Sequence, residues 1–413
     1  MKVKFLMFTT LTILLLLNAS NIYVSKVNAQ TNIRFLDLNL QGGEEPVGIV
    51  YNNKTNLLYV GIPIDGKLAV VNVSDMTYKL YDADPSIYKL VLDADSNVWA
   101  SMYSANYLLK FFTVNNTFKT VVFPFSFVST AITFYEDFIW FVSINVSVPR
   151  GFEGFFLVQL NYSSCEIIRF WEIPKVIING YLFDRCCDVY GNDGKLWITL
   201  FEGYSGLDNG VVIVFDVANE TFKVIEGFYH PIGLHGDSKY IYVAEAGRVY
   251  NTCMISKIDK ETFTVTKIDT EAPIGSTGLI GTQYVYVDKY NNVWWTSGSY
   301  YIGYIGLSGV GEKHYYRSVE LNTFMAEVGD TIWFSAKGSV RVGIVDRTST
   351  YSFKDLDIND DGIIDYWDIG STCRLFGKKQ DDIGYNEKCD INKDGIIDYA
   401  DISMQCRYFG KIW

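Results

Sequence analysis

The chain has 413 residues and a formal net charge of −12, from 35 Lys plus Arg against 47 Asp plus Glu. That acid excess argues against nucleic acid and anionic lipid as partners, because both are bound by clustered Lys or Arg. Aromatic residues reach 16%, with 30 Tyr and 27 Phe, and such side chains suit pleated, half-buried surfaces.

The N-terminus reads as an export signal. Lys2 and Lys4 precede an apolar run at residues 5–17, and Val27-Asn28-Ala29 gives a small-residue cleavage site before Gln30. Residues 1–29 are therefore expected to be a signal peptide, whose apolar run is too short for a span of about 20 residues. An uncleaved anchor is the alternative. The rest of the chain has no membrane span, so the mature protein is expected to be secreted, extracellular or held at the cell surface. Six Asn-x-Ser/Thr sequons downstream of that segment agree, at Asn53, Asn72, Asn115, Asn145, Asn161 and Asn219. There are seven cysteines, and an odd count in an exported protein leaves at least one thiol outside intramolecular disulfides.

From residue 31 to about 350 a weak repeat recurs, each copy marked by an aromatic residue in a short apolar strand. The copies are Leu58-Tyr59-Val60, Val98-Trp99-Ala100, Ile139-Trp140-Phe141, Leu196-Trp197-Ile198, Ile241-Tyr242-Val243, Val293-Trp294-Trp295 and Ile332-Trp333-Phe334. The ring recurs at intervals of 40, 41, 57, 45, 52 and 39 residues, the spacing of propeller blades. Polar turns such as Asp95-Ser96-Asn97 and Asn192-Asp193-Gly194 precede most copies, as hairpins require. Third strands follow at 68–72, 108–114, 155–160, 211–217, 255–259, 302–307 and 341–346. Fourth strands follow only six of them, at 78–83, 118–123, 167–173, 222–227, 263–269 and 313–319. The unassigned residues 33–38 are expected to supply the missing outer strand and close the ring, since an open ring leaves strand edges bare. The predicted fold class is all-β, a seven-bladed β-propeller, with a small α-helical C-terminal domain. A β-sandwich, or six or eight blades, are the alternatives.

The segment Tyr103-Ser104-Ala105-Asn106-Tyr107-Leu108-Leu109-Lys110-Phe111 after Val98-Trp99 resembles the blade consensus of the virginiamycin B lyase group. That resemblance covers roughly residues 40–350 and implies the propeller more than an activity. In that family histidines and a Glu-x-His near the blade openings serve a lyase with a metal. Here His230 stands at such an opening, Glu245 follows a strand without a nearby histidine, and Glu271-Ala272-Pro273 also lacks one. His230 and Glu245 are thus weak catalytic candidates, and His230 and His235 read better as structural. There is no nucleophile elbow, HExxH motif or phosphate loop. Loops carrying Arg150, Phe152, Tyr204, Asp208, Arg248, Tyr250, Tyr300 and Tyr301, with Tyr103 and Tyr107, predict an aromatic face suited to a polysaccharide or glycoprotein ligand.

The pattern changes after residue 346. Residues 357–378 and 390–411 align without gaps, and 16 of the 22 positions are identical. Each copy begins Asp-x-Asn-x-Asp-Gly-Ile-Ile-Asp-Tyr-x-Asp. Ca²⁺ takes six to eight hard oxygen ligands, which a 12-residue loop can supply. In the first loop the expected ligands are Asp357, Asn359, Asp361, the Ile363 carbonyl, Asp365 and Asp368, with Gly362 at the sharp turn. In the second they are Asp390, Asn392, Asp394, the Ile396 carbonyl, Asp398 and Asp401. Ile364 and Ile397, at position 8, are expected to face a small core. Two Ca²⁺ ions are therefore predicted, with binding coupled to folding.

Aspartate at position 12 and a loop followed by one helix, twice, resemble type I dockerin modules, over residues 355–413. The resemblance implies a cohesin-like domain as partner. It places recognition at Tyr366, Trp367, Arg374 and Lys378 in one copy and at Tyr399, Ala400, Arg407 and Lys411 in the other. The Ser-Thr pair common in that family at positions 10 and 11 is absent here, which leaves partner specificity open. Near-identity of the copies would permit two docking orientations. Cys373 and Cys406 occupy equivalent positions, as a disulfide or as two buried thiols. A calcium-stabilised cap on the propeller is the alternative role. The reading reached is a secreted binding and assembly protein. An extracellular lyase or glycoside hydrolase working at the tunnel mouth is the second class.

Overall fold

The structure, a computed structural model, describes residues 33–346 and 356–410 apart from 39–45, 104, 125–126, 148–150, 179–180, 184, 203–208, 248–251, 274–280, 299–300, 307–312, 318–320, 338–340, 392–395, 399–400, 403–404 and 407–408. Residues 1–29, where a signal peptide is expected, and the segment 347–355 lie outside the described residues. Among the described residues no helix is long and apolar enough to cross a membrane. The chain divides into two compact units, one carrying nearly all of the sheets and one made of Asp346–Trp413 together with the short stretch Glu327–Ile332.

The first unit holds seven four-stranded antiparallel sheets. Blade 1 is β2 (Ile49–Asn52), β3 (Leu57–Ile62), β4 (Lys67–Asn72) and β5 (Thr77–Asp82). Blade 2 is β6 (Ile87–Leu92), β7 (Val98–Met102), β8 (Tyr107–Phe112) and β9 (Thr117–Val122). Blade 3 is β10 (Phe127–Tyr135), β11 (Phe138–Ser147), β12 (Gly151–Asn161) and β13 (Ile167–Ile173). A two-stranded hairpin, β14 (Ile177–Ile178) with β15 (Tyr181–Leu182), precedes blade 4. Blade 4 is β16 (Arg185–Asn192), β17 (Lys195–Phe201), β18 (Asn209–Asp216) and β19 (Thr221–Tyr229). Blade 5 is β20 (Pro231–Gly236), β21 (Tyr240–Glu245), β22 (Thr252–Asp259) and β23 (Val265–Pro273). Blade 6 is β24 (Thr282–Val287), β25 (Val293–Ser297), β26 (Tyr301–Ile305) and β27 (Lys313–Arg317).

Blade 7 is β28 (Leu321–Val328), β29 (Thr331–Lys337) and β30 (Arg341–Asp346), and its outer strand is β1 (Ile33–Asp37). Ile33 pairs with Val345 and Asp37 with Arg341, so the N-terminal strand completes the last blade as the sequence predicted. Each marked aromatic falls on the second strand of its blade and is buried. Trp99, Trp140, Trp197, Trp294 and Tyr242 are among the largest fully buried side chains. A buried aromatic removes about 150–250 Å² from water, or roughly 4–6 kcal/mol of gross transfer free energy, before entropy is charged.

The polar turns hold these rings in place. Asp93 accepts the Asn97 amide at 2.8 Å and the Trp99 indole N–H at 3.0 Å. Asp288 does the same for Asn292 at 2.9 Å and Trp294 at 2.8 Å. In blade 5, Asp237 accepts the Tyr240 amide at 2.7 Å and the Tyr242 hydroxyl at 3.1 Å. The sequence placed Arg150 and Phe152 on a loop, here expected over 143–154, but Ser143–Ser147 and Gly151–Gly154 are paired strand, with Asn145 opposite Gly154 and Ser147 opposite Gly151. Alternating β-branched residues at Ile144 and Val146 favour that extension.

A hydroxyl two residues past the ring ties blade to blade. Thr199 donates to the Ile232 carbonyl at 2.8 Å, Thr296 to Thr323 at 2.7 Å, and Ser335 to Val47 at 2.7 Å. The Ser335 bond joins blade 7 to the segment leading into blade 1 and closes the ring on the inside.

Among its described residues the second unit has one defined helix, α1 (Tyr366–Arg374). Asp365 caps it by accepting the Trp367 amide at 2.7 Å, while Asp368 accepts the Asp365 amide at 2.8 Å, a reciprocal capping box. Residues 401–402 and 405–406 are also helical. Ile364 and Ile397 are fully buried, as expected of position 8.

Candidate functional site

The first strands β2, β6, β10, β16, β20, β24 and β28 are the innermost of their blades and line the central axis. Turns joining strands one to two and three to four lie on one rim. The opposite rim carries the blade-to-blade connections, where each first strand begins. At that second rim Tyr88, Cys187, Asp188, Ile232, Gly233, Gln283, Tyr284, Thr323 and Phe324, from five blades, line a cavity of about 50 Å³. Phe324 forms its aromatic wall, 5.7 Å from the Tyr88 ring and 4.9 Å from the Tyr284 ring.

Below the cavity Lys89 of β6 reaches across to Asp188 of β16 in a buried ion pair. Asp188 also accepts the Val189 amide at 2.9 Å and the Leu234 amide at 3.0 Å. Burial pushes the Asp188 carboxyl up, and Lys89 and the amides pull it back without cancelling the effect. Burial also raises the Cys187 thiol to about 12 and lifts the Tyr88 and Tyr284 phenols. At neutral pH the cavity therefore presents uncharged phenols and a thiol that is no nucleophile. The Gln283 amide nitrogen is buried there with no hydrogen-bond partner. This donor set suits a neutral oxygen acceptor such as a hydroxyl or carbonyl.

His235 lies between Tyr190 at 4.8 Å and Tyr286 at 4.5 Å, and its Nδ1 accepts the Val287 amide at 3.1 Å. It is a structural residue, as expected. Desolvation first and Lys89 second pull its pKa from 6.5 down to about 3. Between those values the unfolded chain binds more protons, so stability is full above pH 6.5 and falls as acid is added. Each pH unit costs at most about 1.4 kcal/mol. The urea midpoint is expected to drop from pH 7 to pH 5, and His235→Gln to flatten that slope; an unchanged slope would move the effect to another group.

The two catalytic candidates have other partners. Glu245 is 1% exposed and accepts the Ser256 hydroxyl, the Lys267 ammonium and, at 3.1 Å, the Tyr229 amide. The His230 ring stacks on Phe201 at 3.8 Å, and its backbone sits at φ +50°. Of the predicted aromatic loops, Arg150, Tyr204, Asp208, Arg248, Tyr250 and Tyr300 lie outside the described residues, as does the Phe152 side chain. Tyr103 is exposed and sits 6.3 Å from Tyr88, beside the cavity wall. Sequence reading passed over the cavity because its residues lie on the first strands, which carry no repeat mark. A lysine inside the apolar run Ile87–Leu92 was the one available signal.

In the second unit the first loop runs through Asp357, Asn359, Asp361, Ile363, Asp365 and Asp368. Asp357 accepts the Asp361 amide at 3.1 Å and the Gly362 amide at 2.7 Å, and Asn359 accepts Asp361 at 3.1 Å. Asp361 accepts Ile363 at 2.9 Å, and Asp368 accepts Ile358 at 2.7 Å. Gly362 turns at φ +86°. Every donor side chain is a hard oxygen, a chemistry that fits Ca²⁺ and not a thiol-seeking metal. Among the described residues no three His, Cys, Asp or Glu side chains converge as a metal cluster. In the second loop Asp390 accepts the Tyr385 hydroxyl and Asp401 accepts the Ile391 amide at 2.7 Å and the Asp398 amide at 2.7 Å. Asn392 and Asp394 lie outside the described residues, and Ile396 bridges Lys379.

The repeats exchange equivalent bonds. Gly377 donates to the Ile397 carbonyl at 2.7 Å, and Gly410 donates to the Ile364 carbonyl at 2.7 Å. Of the predicted recognition residues, Tyr366 and Trp367 are 78% and 67% exposed, and Arg374 is exposed at the end of the same helix. Lys378 is half-buried and donates to the Ile383 carbonyl at 3.0 Å. Tyr399, Ala400, Arg407 and Lys411 lie outside the described residues. None of the seven cysteines forms a disulfide, and Cys373 and Cys406 are exposed, so neither expectation for that pair holds. Their helix positions turn outward while Thr372 and Gln405, one residue earlier, are buried.

No protein-family model matches the chain. No curated protein matches it in sequence. Solved structures do match in fold. A virginiamycin B lyase from Staphylococcus aureus superposes with a TM-score of 0.58 at 16% identity, covering 76% of this chain and 98% of that one. A streptogramin B lyase gives 0.59 at 16% identity, covering 76% and 97%. The protein U3-55K gives 0.59 at 10% identity, covering 77% and 99%. At such identities the likeness is one of fold, and what it establishes is that the chain is a seven-bladed β-propeller similar to virginiamycin B lyase and to WD40 proteins.

Proposed function

We propose that this is an exported, glycan-bearing binding and assembly protein, tethered by its C-terminal unit and presenting the propeller's cavity rim to a carbohydrate or glycoprotein. The observation that carries the reading is the paired exchange of Gly377 with Ile397 and Gly410 with Ile364, which makes the tail one two-part body built on two near-identical loops. Calcium held in those loops would neutralise their carboxylates and fix the paths of the helices. Asp357, Asp361, Asp365 and Asp368 would hold one ion, and Asp390, Asp394, Asp398 and Asp401 the other, completed by Asn359, Asn392 and the Ile363 and Ile396 carbonyls. Exposed Tyr366, Trp367 and Arg374 are the side chains that a cohesin-like domain would cover, since aromatic and arginine side chains dominate interface cores.

For the propeller, the aromatic cavity and the partnerless Gln283 amide support binding of a neutral polar group. The lyase or hydrolase reading has no comparable support, because Glu245 is engaged by Ser256, Lys267 and Tyr229. The test is surface plasmon resonance of the full-length chain over immobilised type I cohesin domains, with calcium and then with chelator. Binding that vanishes on chelation is expected, with Trp367→Ala weakening it by at least tenfold. Calcium-independent binding, or none to a broad cohesin panel, would discard the docking role.

A further inference from the structure

The sequons fall on the ring in a pattern that sequence alone does not display. Asn53 lies on the turn between β2 and β3. Asn72, Asn115, Asn161 and Asn219 lie on the turns between strands three and four of blades 1 to 4 in succession. Antiparallel order puts all of these turns on one rim, the rim opposite the cavity. The Asn145 side chain lies outside the described residues.

The four later turns share one backbone. A residue at the end of the third strand accepts the amide four places on: Asn72 from Met76, Phe112 from Asn116, Asn161 from Cys165 and Asp216 from Glu220, all at 2.8–2.9 Å. The fourth residue sits at φ +53° to +63° in each. Turn chemistry accounts for asparagine at the first position. Asn72 Oδ1 accepts the Ser74 amide at 3.0 Å, and Asn161 Oδ1 accepts Ser163 at 2.9 Å. Aspartate does that job equally well, as Asp216 shows by accepting the Asn219 amide at 2.9 Å.

Asn115 and Asn219 stand three places later, at the exposed tip. At Asn115 the turn uses the oxygen: Asn115 Oδ1 accepts the Thr117 hydroxyl at 2.7 Å, and in blade 1 Asp75 accepts Thr77 in the same way at 2.7 Å, whereas the Asn219 side-chain amide donates to the Asp216 carboxylate. The Asn115 turn therefore requires only the oxygen that Asp75 supplies in blade 1. What asparagine adds is an amide nitrogen, beside a threonine two residues on, at an exposed tip.

We propose that Asn53, Asn115 and Asn219 are N-glycosylation sites and that their glycans cover the rim opposite the cavity. This rests on the reading of the chain as exported. In the reaction the asparagine amide nitrogen bonds to the anomeric carbon of an oligosaccharide carried on a lipid pyrophosphate. The carbon–oxygen bond to phosphate breaks, the lipid pyrophosphate leaves, and the amide gives up one proton. Asn72 and Asn161 are half-buried turn caps and are poorer acceptors in the folded chain. The placement leaves the cavity rim clear while a hydrated sugar layer covers the other.

The test separates the site from export. Folded, unglycosylated full-length chain is incubated with a single-subunit oligosaccharyltransferase that accepts Asn-x-Ser/Thr, together with its lipid-linked donor, and peptides are mapped by mass spectrometry. Occupancy at Asn53, Asn115 and Asn219 is expected at least tenfold above Asn72 and Asn161, and N115Q and N219Q should each remove one glycan mass. No occupancy at the three tips, or equal occupancy at the two caps, overturns the assignment. Export is read in a separate culture carrying the chain's own N-terminus, where retention inside the cell would refute export and leave the in vitro result standing.

Discussion

Calcium added to the chelated full-length chain is expected to bind at two sites and to raise the melting temperature of the C-terminal unit, leaving that of the propeller unchanged. Ligand that binds only the folded state stabilises it by about 2.7 kcal/mol at a hundredfold excess over Kd. The change should be largest in this unit, because Asp357, Asp368, Asp390 and Asp401 are each no more than 2% exposed. Buried carboxylates are costly unless countercharged, and the amides that Asp368 accepts supply partial charge only. The variant Asp361→Ala with Asp394→Ala removes one donor from each loop and no helix cap, so it should lose the calcium response yet keep the chelated melting temperature. Calorimetry reads both. Absence of heat at roughly 10 mM calcium, well above the range for extracellular modules, would end the calcium assignment.

Breaking the pair on the propeller axis is expected to be the most damaging single change in the first unit. Asp188→Ala strands the Lys89 ammonium in the core, together with the Val189 and Leu234 amides. Removing one partner of a buried pair costs about 3–5 kcal/mol. Lys89→Met is expected to cost less in acid, because the remaining carboxyl can take up a proton. Its folded pKa, already above the ordinary 3.8, would rise further without the ammonium. The folded state then holds more protons, so stability is greatest below about pH 4 and declines as pH rises through the folded value. That slope is opposite in sign to the His235 effect. Urea denaturation of both variants from pH 4 to pH 8 distinguishes them, and equal losses at every pH would show that the pair is not what holds the axis.

How much of this was legible depended on where the sequence repeats itself. The second strands announced themselves because a buried ring every 39 to 57 residues cannot be hidden, and the closing role of residues 33–38 followed from counting outer strands. The Asp93 and Asp288 brackets were visible as turn residues, though their hold on Trp99 and Trp294 was not. The cavity was invisible because it is assembled from five strands far apart in sequence, and Lys89 and Asp188 lie 99 residues apart. The hydroxyls at Thr199, Thr296 and Ser335 could have been found by reading two residues beyond each ring. The two repeated Asp-rich loops were legible from spacing alone. The Gly377–Ile397 and Gly410–Ile364 exchange was not, because it joins residues whose pairing follows only from the fold.

The pairing of β1 with β30 has a consequence for how the molecule comes into being. Ile33 meets Val345, so the first strand to be made waits for a partner 312 residues later. At about 5–20 residues per second of synthesis that wait is roughly 15–60 s. Throughout it β1 is an unpaired strand at the head of a growing chain, and each finished blade can pack only against its predecessor. Closure is therefore the last long-range step, of high contact order and correspondingly slow. A nascent chain is barred from sealing its ring until nearly all of it has emerged, and this keeps the polypeptide threadable for most of its synthesis.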